Sequence, residues 1–124
     1  METDQKRYDV LVIEDDPSTI SLLKDFFEMK GYTCYGTSSG QKALDQLDQL
    51  NPKLILIDII LPDLDGYAIC KEVRDNIKFK NVKIMYITAK SEEEIRQKVE
   101  ETGADGYLLK PFELPKVEHL TDDL

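Results

Sequence analysis

Two rhythms of apolar and polar positions alternate along this chain. Val10-Leu11-Val12-Ile13, Leu54-Ile55-Leu56-Ile57, Val82 through Ile87 and Tyr107-Leu108-Leu109 are short, predominantly apolar runs, the first three rich in β-branched residues. Strands buried on both faces of a parallel sheet read this way, because neither face meets water. Tyr32 to Gly36 is a weaker, more amphipathic run that suits an edge strand. Helical spacing fills the intervals. Ile20, Leu23 and Phe27 share one face, as do Ala43, Leu47 and Leu50; Ile69 with Val73, Ile95 with Val99, and Leu114, Val117 with Leu120 mark three more helices. Strand and helix therefore alternate five times. The pattern predicts an α/β fold, a doubly wound (βα)5 arrangement with right-handed crossovers and helices on both faces of a five-stranded parallel sheet.

Local punctuation agrees with these boundaries. Asp16 and Pro17 suit the cap and first position of the first helix. Gly31 and Gly103 follow helices, where a left-handed residue is expected. No repeat, low-complexity segment or linker interrupts the chain, so one domain is expected over residues 1–124, with residues 1–7 a polar leader. That leader has no apolar core of a signal peptide, and no apolar run approaches the roughly 20 residues of a membrane span. A cytoplasmic location without membrane insertion is expected. The two cysteines, Cys34 and Cys70, fall in a strand and a helix and are expected reduced and buried, although sequence leaves a disulfide open. The formal net charge is −9, and no window is rich in Lys and Arg, which argues against direct nucleic-acid binding.

In open parallel sheets, ligands bind beyond the carboxyl ends of the strands. Here those ends carry Glu14-Asp15-Asp16, Asp58, Thr88-Ala89 and Lys110-Pro111. Taken singly, an acidic turn reads as a solvated cap, and a strand-end Thr as a turn residue. Asp58 is harder to dismiss, because it follows Leu-Ile-Leu-Ile directly, where an unpaired charge is costly. Carboxylates gathered at one rim repel and raise one another's pKa, a conflict that a hard divalent cation relieves. Mg²⁺ suits such a rim, since it takes one or two carboxylates and keeps several waters.

The segments Val10-Leu-Val-Ile-Glu14-Asp15-Asp16-Pro17, Asp58-Ile-Ile-Leu-Pro62-Asp63-Leu-Asp65-Gly66, Ile87-Thr88-Ala89-Lys90 and Gly103-Ala-Asp-Gly-Tyr107-Leu-Leu-Lys110-Pro111-Phe112 resemble, in order and spacing, the receiver domain of two-component response regulators. The resemblance, chemotaxis-regulator-like, covers essentially the whole chain. It implies a flavodoxin-like sheet of order 2-1-3-4-5 and a phosphorylation-dependent switch. In that reading Asp58 is the phosphoacceptor, and Glu14, Asp15, Asp58 and the Ile60 backbone carbonyl serve the Mg²⁺ ion, with Glu14 acting largely through water. Thr88, Ala89 and Lys110 bind phosphoryl oxygens, Thr88 and Tyr107 form the switch, and Lys110-Pro111 is a cis peptide. The implied partner is a histidine kinase or phosphotransfer protein. The implied output is a changed surface around the fourth helix and fifth strand, with a dimer through the face from the fourth to the fifth helix among its forms.

Two other classes fit less well. A pseudo-receiver with a dead site is disfavoured by the joint presence of Glu14, Asp15, Asp58, Thr88 and Lys110. A Mg²⁺ phosphatase with an aspartyl nucleophile wants a second Asp two residues on, where this chain has Ile60. Nucleotide hydrolysis lacks its Gly-rich loop ending in Lys-Ser/Thr. The expectation is a signalling switch, not a turnover enzyme on an external substrate. The fourth helix, Ser91 to Glu100, has two apolar anchors, and Glu92–Arg96 and Glu94–Lys98 are spaced as favourable exposed pairs. A helix so lightly anchored shifts at low cost. The output partner and any effector domain are not legible.

Overall fold

A computed structural model describes residues 7–122 and residue 124. Apart from Arg7, the expected polar leader lies outside the described residues. Strands β1 (Val10–Ile13), β2 (Cys34–Thr37), β3 (Leu54–Asp58), β4 (Lys83–Thr88) and β5 (Gly106–Leu109) form one sheet of order β2-β1-β3-β4-β5. All four pairings are parallel. The helices are α1 (Pro17–Met29), α2 (Gly40–Asp45), α3 (Leu47–Leu50), α4 (Gly66–Asp75), α5 (Glu92–Thr102) and α6 (Leu114–Glu118), with 3₁₀ turns at Ile77–Phe79 and His119–Thr121. The predicted fourth and fifth helices are thus α5 and α6. Among the described residues, no helix is long and apolar enough to cross a membrane.

Side chains alternate across each strand, and this sorts the core into two layers. Leu11, Ile13, Ile55, Ile57, Ile84 and Tyr86 pack with Ala43, Leu47, Leu50, Ile69, Cys70, Val73 and Ile95, so α2 to α5 cover one face. Val10, Val12, Leu54, Leu56, Met85, Ile87 and Leu108 pack with Leu23, Phe27, Val117 and Leu120, so α1 and α6 cover the other. Cys34 and Cys70 belong to opposite layers and are both free. Burial pushes the Cys34 thiol up to about 12, which leaves it protonated and inert.

Most caps fall where the sequence puts them. Asp16 accepts from the Ser18 N–H at the start of α1, and Gly31 and Gly103 take φ of 92° and 84°. Several boundaries differ, three of them for a visible reason. The predicted second helix is interrupted at Gln46 (φ −101°, ψ 4°), although Ala43, Leu47 and Leu50 all remain buried. β2 starts at Cys34 because the Tyr32 N–H is still bonded to Phe27 O at the end of α1. β4 starts at Lys83 because the Val82 N–H closes a turn onto Phe79 O, and it runs on to Thr88.

Two polar devices fix the loops around this frame. Asp63, in the loop after β3, accepts from Ser39 Oγ (2.8 Å) and from the N–H groups of Gly40 (3.0 Å) and Gln41 (3.1 Å) at the start of α2. Those bonds, led by the one from Gln41, hold its carboxyl down to about 2. Arg74, on α4, donates to Gly103 O (2.8 Å), Val82 O (2.6 Å), Lys80 O (3.2 Å) and Phe79 O (3.4 Å), and pairs with Asp105 (2.9 Å). It thereby ties the end of α4 to the start of β4 and the end of α5.

Candidate functional site

β1, β3 and β4 are neighbours or next neighbours at the centre of the sheet, so their carboxyl ends open onto one rim, which β5 borders. Glu14 follows β1 directly and is 1% exposed; its N–H is held by Thr37 O, and its Oε2 accepts from the Asp16 N–H at 3.0 Å. Asp58 ends β3 and is 8% exposed. Its Oδ1 accepts from the Ile60 N–H at 3.2 Å, which fixes the carboxylate rotamer. Gly66 makes this turn feasible: a Cβ there would stand 2.6 Å from Asp58 O and 2.7 Å from the Ile59 Cα, so only glycine lets α4 start so close to β3.

Lys110 joins the two carboxylates. Its ammonium lies 2.9 Å from Glu14 Oε1, 3.1 Å from Glu14 Oε2 and 3.6 Å from Asp58 Oδ2. The Lys110 N–H donates to Thr88 O at 2.7 Å, and the Lys110–Pro111 peptide is cis, as the resemblance implies. Burial drives the Glu14 carboxyl above its usual range; the Asp16 N–H and Lys110 oppose this, and Asp58 adds to it. Burial works to lower the Lys110 pKa, but Glu14 and then Asp58 outweigh it and hold the ammonium above its usual value. The two partners differ because Glu14 is enclosed whereas the Lys110 side chain is 27% exposed.

The other expected residues have different engagements. Asp15 is exposed. Thr88 is buried, and its Oγ1 accepts from the Lys90 N–H at 3.0 Å. Ala89 is exposed and lines an apolar cleft of about 370 Å³ with Thr19, Leu22, Lys110, Pro111 and Phe112. The Ile60 side chain is 67% exposed. Tyr107 is half-buried and points toward α5, where its O–H donates to Glu92 Oε2 at 2.6 Å. The expected Glu92–Arg96 pair forms at 3.2 Å. The expected Glu94–Lys98 pair does not: Glu94 pairs with Lys90 at 3.3 Å, and Lys98 pairs with Glu101 and lies over the Tyr67 ring. Lys90, one turn before Glu94, competes successfully for it, and the Tyr67 face draws Lys98 away. The leucine-and-phenylalanine cleft and the Tyr107–Glu92 bond were not foreseen, because both join residues that helical spacing does not relate.

The donor set at the rim suits a hard cation. Asp15 and Asp58 and the Ile60 carbonyl offer only oxygen, and Glu14 Oε1 is buried without a directed hydrogen bond. Among the described residues no three carboxylate, His or Cys groups form a ready-made cage. Mg²⁺ keeps several waters and asks for few protein ligands.

The family model of the response regulator receiver domain matches residues 10–122. The alkaline phosphatase synthesis transcriptional regulatory protein PhoP of Bacillus subtilis is 38% identical over 104 residues, which are 83% of this chain and 42% of PhoP. The polar-differentiation response regulator DivK of Brucella ovis is 30% identical over 107 residues, 86% of this chain and 87% of DivK. This chain therefore spans less than half of the transcriptional regulator and most of DivK. Among solved structures, the receiver domain of the sensor histidine kinase PA1611 of Pseudomonas aeruginosa, with a magnesium ion coordinated in its active-site cleft, superposes with a TM-score of 0.79 at 26% identity and 92% coverage of each chain.

Proposed function

The chain belongs to the response regulator receiver domain family, and from that premise we propose that it is a cytoplasmic switch that takes a phosphoryl group on Asp58 from a phosphohistidine of a kinase or phosphotransfer partner. The observation that carries this reading is the placement of one ammonium, Lys110, between the buried carboxylates of Glu14 and Asp58.

The chemistry follows from how charge is arranged. Asp58 Oδ1 is occupied by the Ile60 N–H, so Oδ2, the oxygen facing Lys110, is the nucleophile. The Oδ2–P bond forms as the donor's P–N bond breaks, and the electron pair returns to the donor imidazole. The transition state spreads negative charge over the transferring group, so catalysis is mainly positioning and neutralisation. Lys110 supplies a fixed positive charge beside the carboxylate. Asp15, Asp58 and the Ile60 carbonyl would hold Mg²⁺, with Glu14 acting through water, and the ion when bound supplies further neutralisation of the incoming dianion. The Thr88 hydroxyl, with Ala89 and Lys110, binds the phosphoryl oxygens. The apolar cleft of Leu22, Pro111 and Phe112 beside Lys110 offers the donor protein a surface to bury. Hydrolysis of the acyl phosphate resets the switch, so the protein turns over no external substrate.

A small phosphodonor with Mg²⁺ should label the protein once, on Asp58, and Asp58→Asn should abolish the label. Mass spectrometry that finds the label elsewhere, or full labelling in excess chelator, overturns the assignment.

A further inference from the structure

Tyr107 and Glu92 are joined in a way that the proposed switch does not require. The phenol donates to Glu92 Oε2 at 2.6 Å, and the same oxygen stands 3.2 Å from Arg96. Glu92 opens α5 and Tyr107 belongs to β5, fifteen positions apart. The apolar anchors of α5 come later, at Ile95, which is fully buried, and Val99. Its first turn is held instead by polar contacts: Ser91 Oγ on the Glu94 N–H, Lys90 on Glu94, and the Glu92–Tyr107 bond across to the sheet.

We propose that Glu92 is a positioning residue for Tyr107, a latch that keeps the ring turned toward α5 and so opposes the phosphorylated state of the Asp58 site. This rests on the reading of Thr88 and Tyr107 as the switch pair. The reasoning is linkage. A contact made in one of two states favours that state by its own free energy, and every ligand of the other state then binds less tightly by the same factor. Tyr107 cannot turn toward Thr88 and keep its bond to Glu92. Arg96 holds the carboxylate in place from the same helix, and Lys116 on α6 adds a favourable field. The Tyr107 bond, followed by Arg96, keeps the Glu92 carboxyl below its usual range, so the latch is ionised at neutral pH.

The test uses ring-¹³C-tyrosine protein and the phosphate mimic beryllofluoride with Mg²⁺. In the free protein, Glu92→Ala should shift the Tyr107 side-chain resonances, whereas Glu93→Ala, on the same exposed turn, should not. Glu92→Ala and Tyr107→Phe should each tighten beryllofluoride binding by roughly two- to fivefold, the range for an exposed charged contact. The double variant should gain no more than either single one, because both cut the same bond. Unchanged Tyr107 resonances in Glu92→Ala, or additive effects in the double variant, would overturn the latch. Failure of the unmodified protein to bind beryllofluoride would instead overturn the Asp58 reading, while the free-protein resonances would still decide the latch.

Discussion

The Lys110 ammonium lies 2.9 Å from Glu14 Oε1, although 96 positions separate the two residues. Glu14 is nevertheless held above the usual carboxylate range, so burial outweighs the pair it makes. A buried charge in that condition weakens the fold that carries it. Glu14→Gln should therefore raise the unfolding free energy in chelated buffer, while slowing Mg²⁺-dependent labelling of Asp58. Urea titrations of the two proteins measure the first effect; a less stable variant would mean that the Lys110 pair dominates.

Arg74 offers the opposite case. Its guanidinium satisfies four carbonyls and one carboxylate, and its side chain is 17% exposed. Arg74→Ala strands these acceptors and should cost about 2–4 kcal/mol. Arg74→Lys should recover little, because an ammonium cannot reproduce the planar fork. Chemical denaturation reports both.

Asp63 makes stability depend on acid. Its carboxyl titrates at about 2 in the fold against an ordinary 3.8, so its contribution is complete above 3.8 and disappears as pH falls through about 2. Asp63→Ala should unfold more readily than the parent at neutral pH. The gap between the two urea midpoints should close as pH falls from 3.8 toward about 2, and a gap that persists there would separate the cap from its charge.

Thr88→Ala should leave Asp58 able to accept the label, since Thr88 is not its nucleophile or its ammonium partner. It should reduce the response of Tyr107 and α5 to beryllofluoride, seen as smaller amide shift changes at residues 92–107. A response as large as in the parent would remove Thr88 from the relay.

Sequence made the sheet and the rim legible for a simple reason. Leu54-Ile55-Leu56-Ile57 has no polar position on either face, so Asp58 had to stand where the apolar run ends, and Glu14 follows Val-Leu-Val-Ile by the same logic. Periodicity assigns a face but not the residue met across it. No periodicity relates Arg74 to Val82 or Asp63 to Gly40; the fold brings them together. Glu94 shows the limit within one helix: its partner is Lys90, outside the helix, and not the expected Lys98. The Gln46 interruption has no marker either, since no Gly or Pro stands there.

The Arg74 contact to Gly103 O also makes α5 a lever. Its far end is pinned there, and again where Tyr86 Oη meets Thr102 Oγ1 in the core, whereas its first turn hangs on surface side chains. Eleven residues at 1.5 Å each give an arm of about 16 Å. A tilt of about 10° around the pinned end moves the first turn by about 3 Å while Thr102 barely shifts. Any rotation of α5 about its pinned end is thus largest at the end nearest Thr88 and smallest at Thr102.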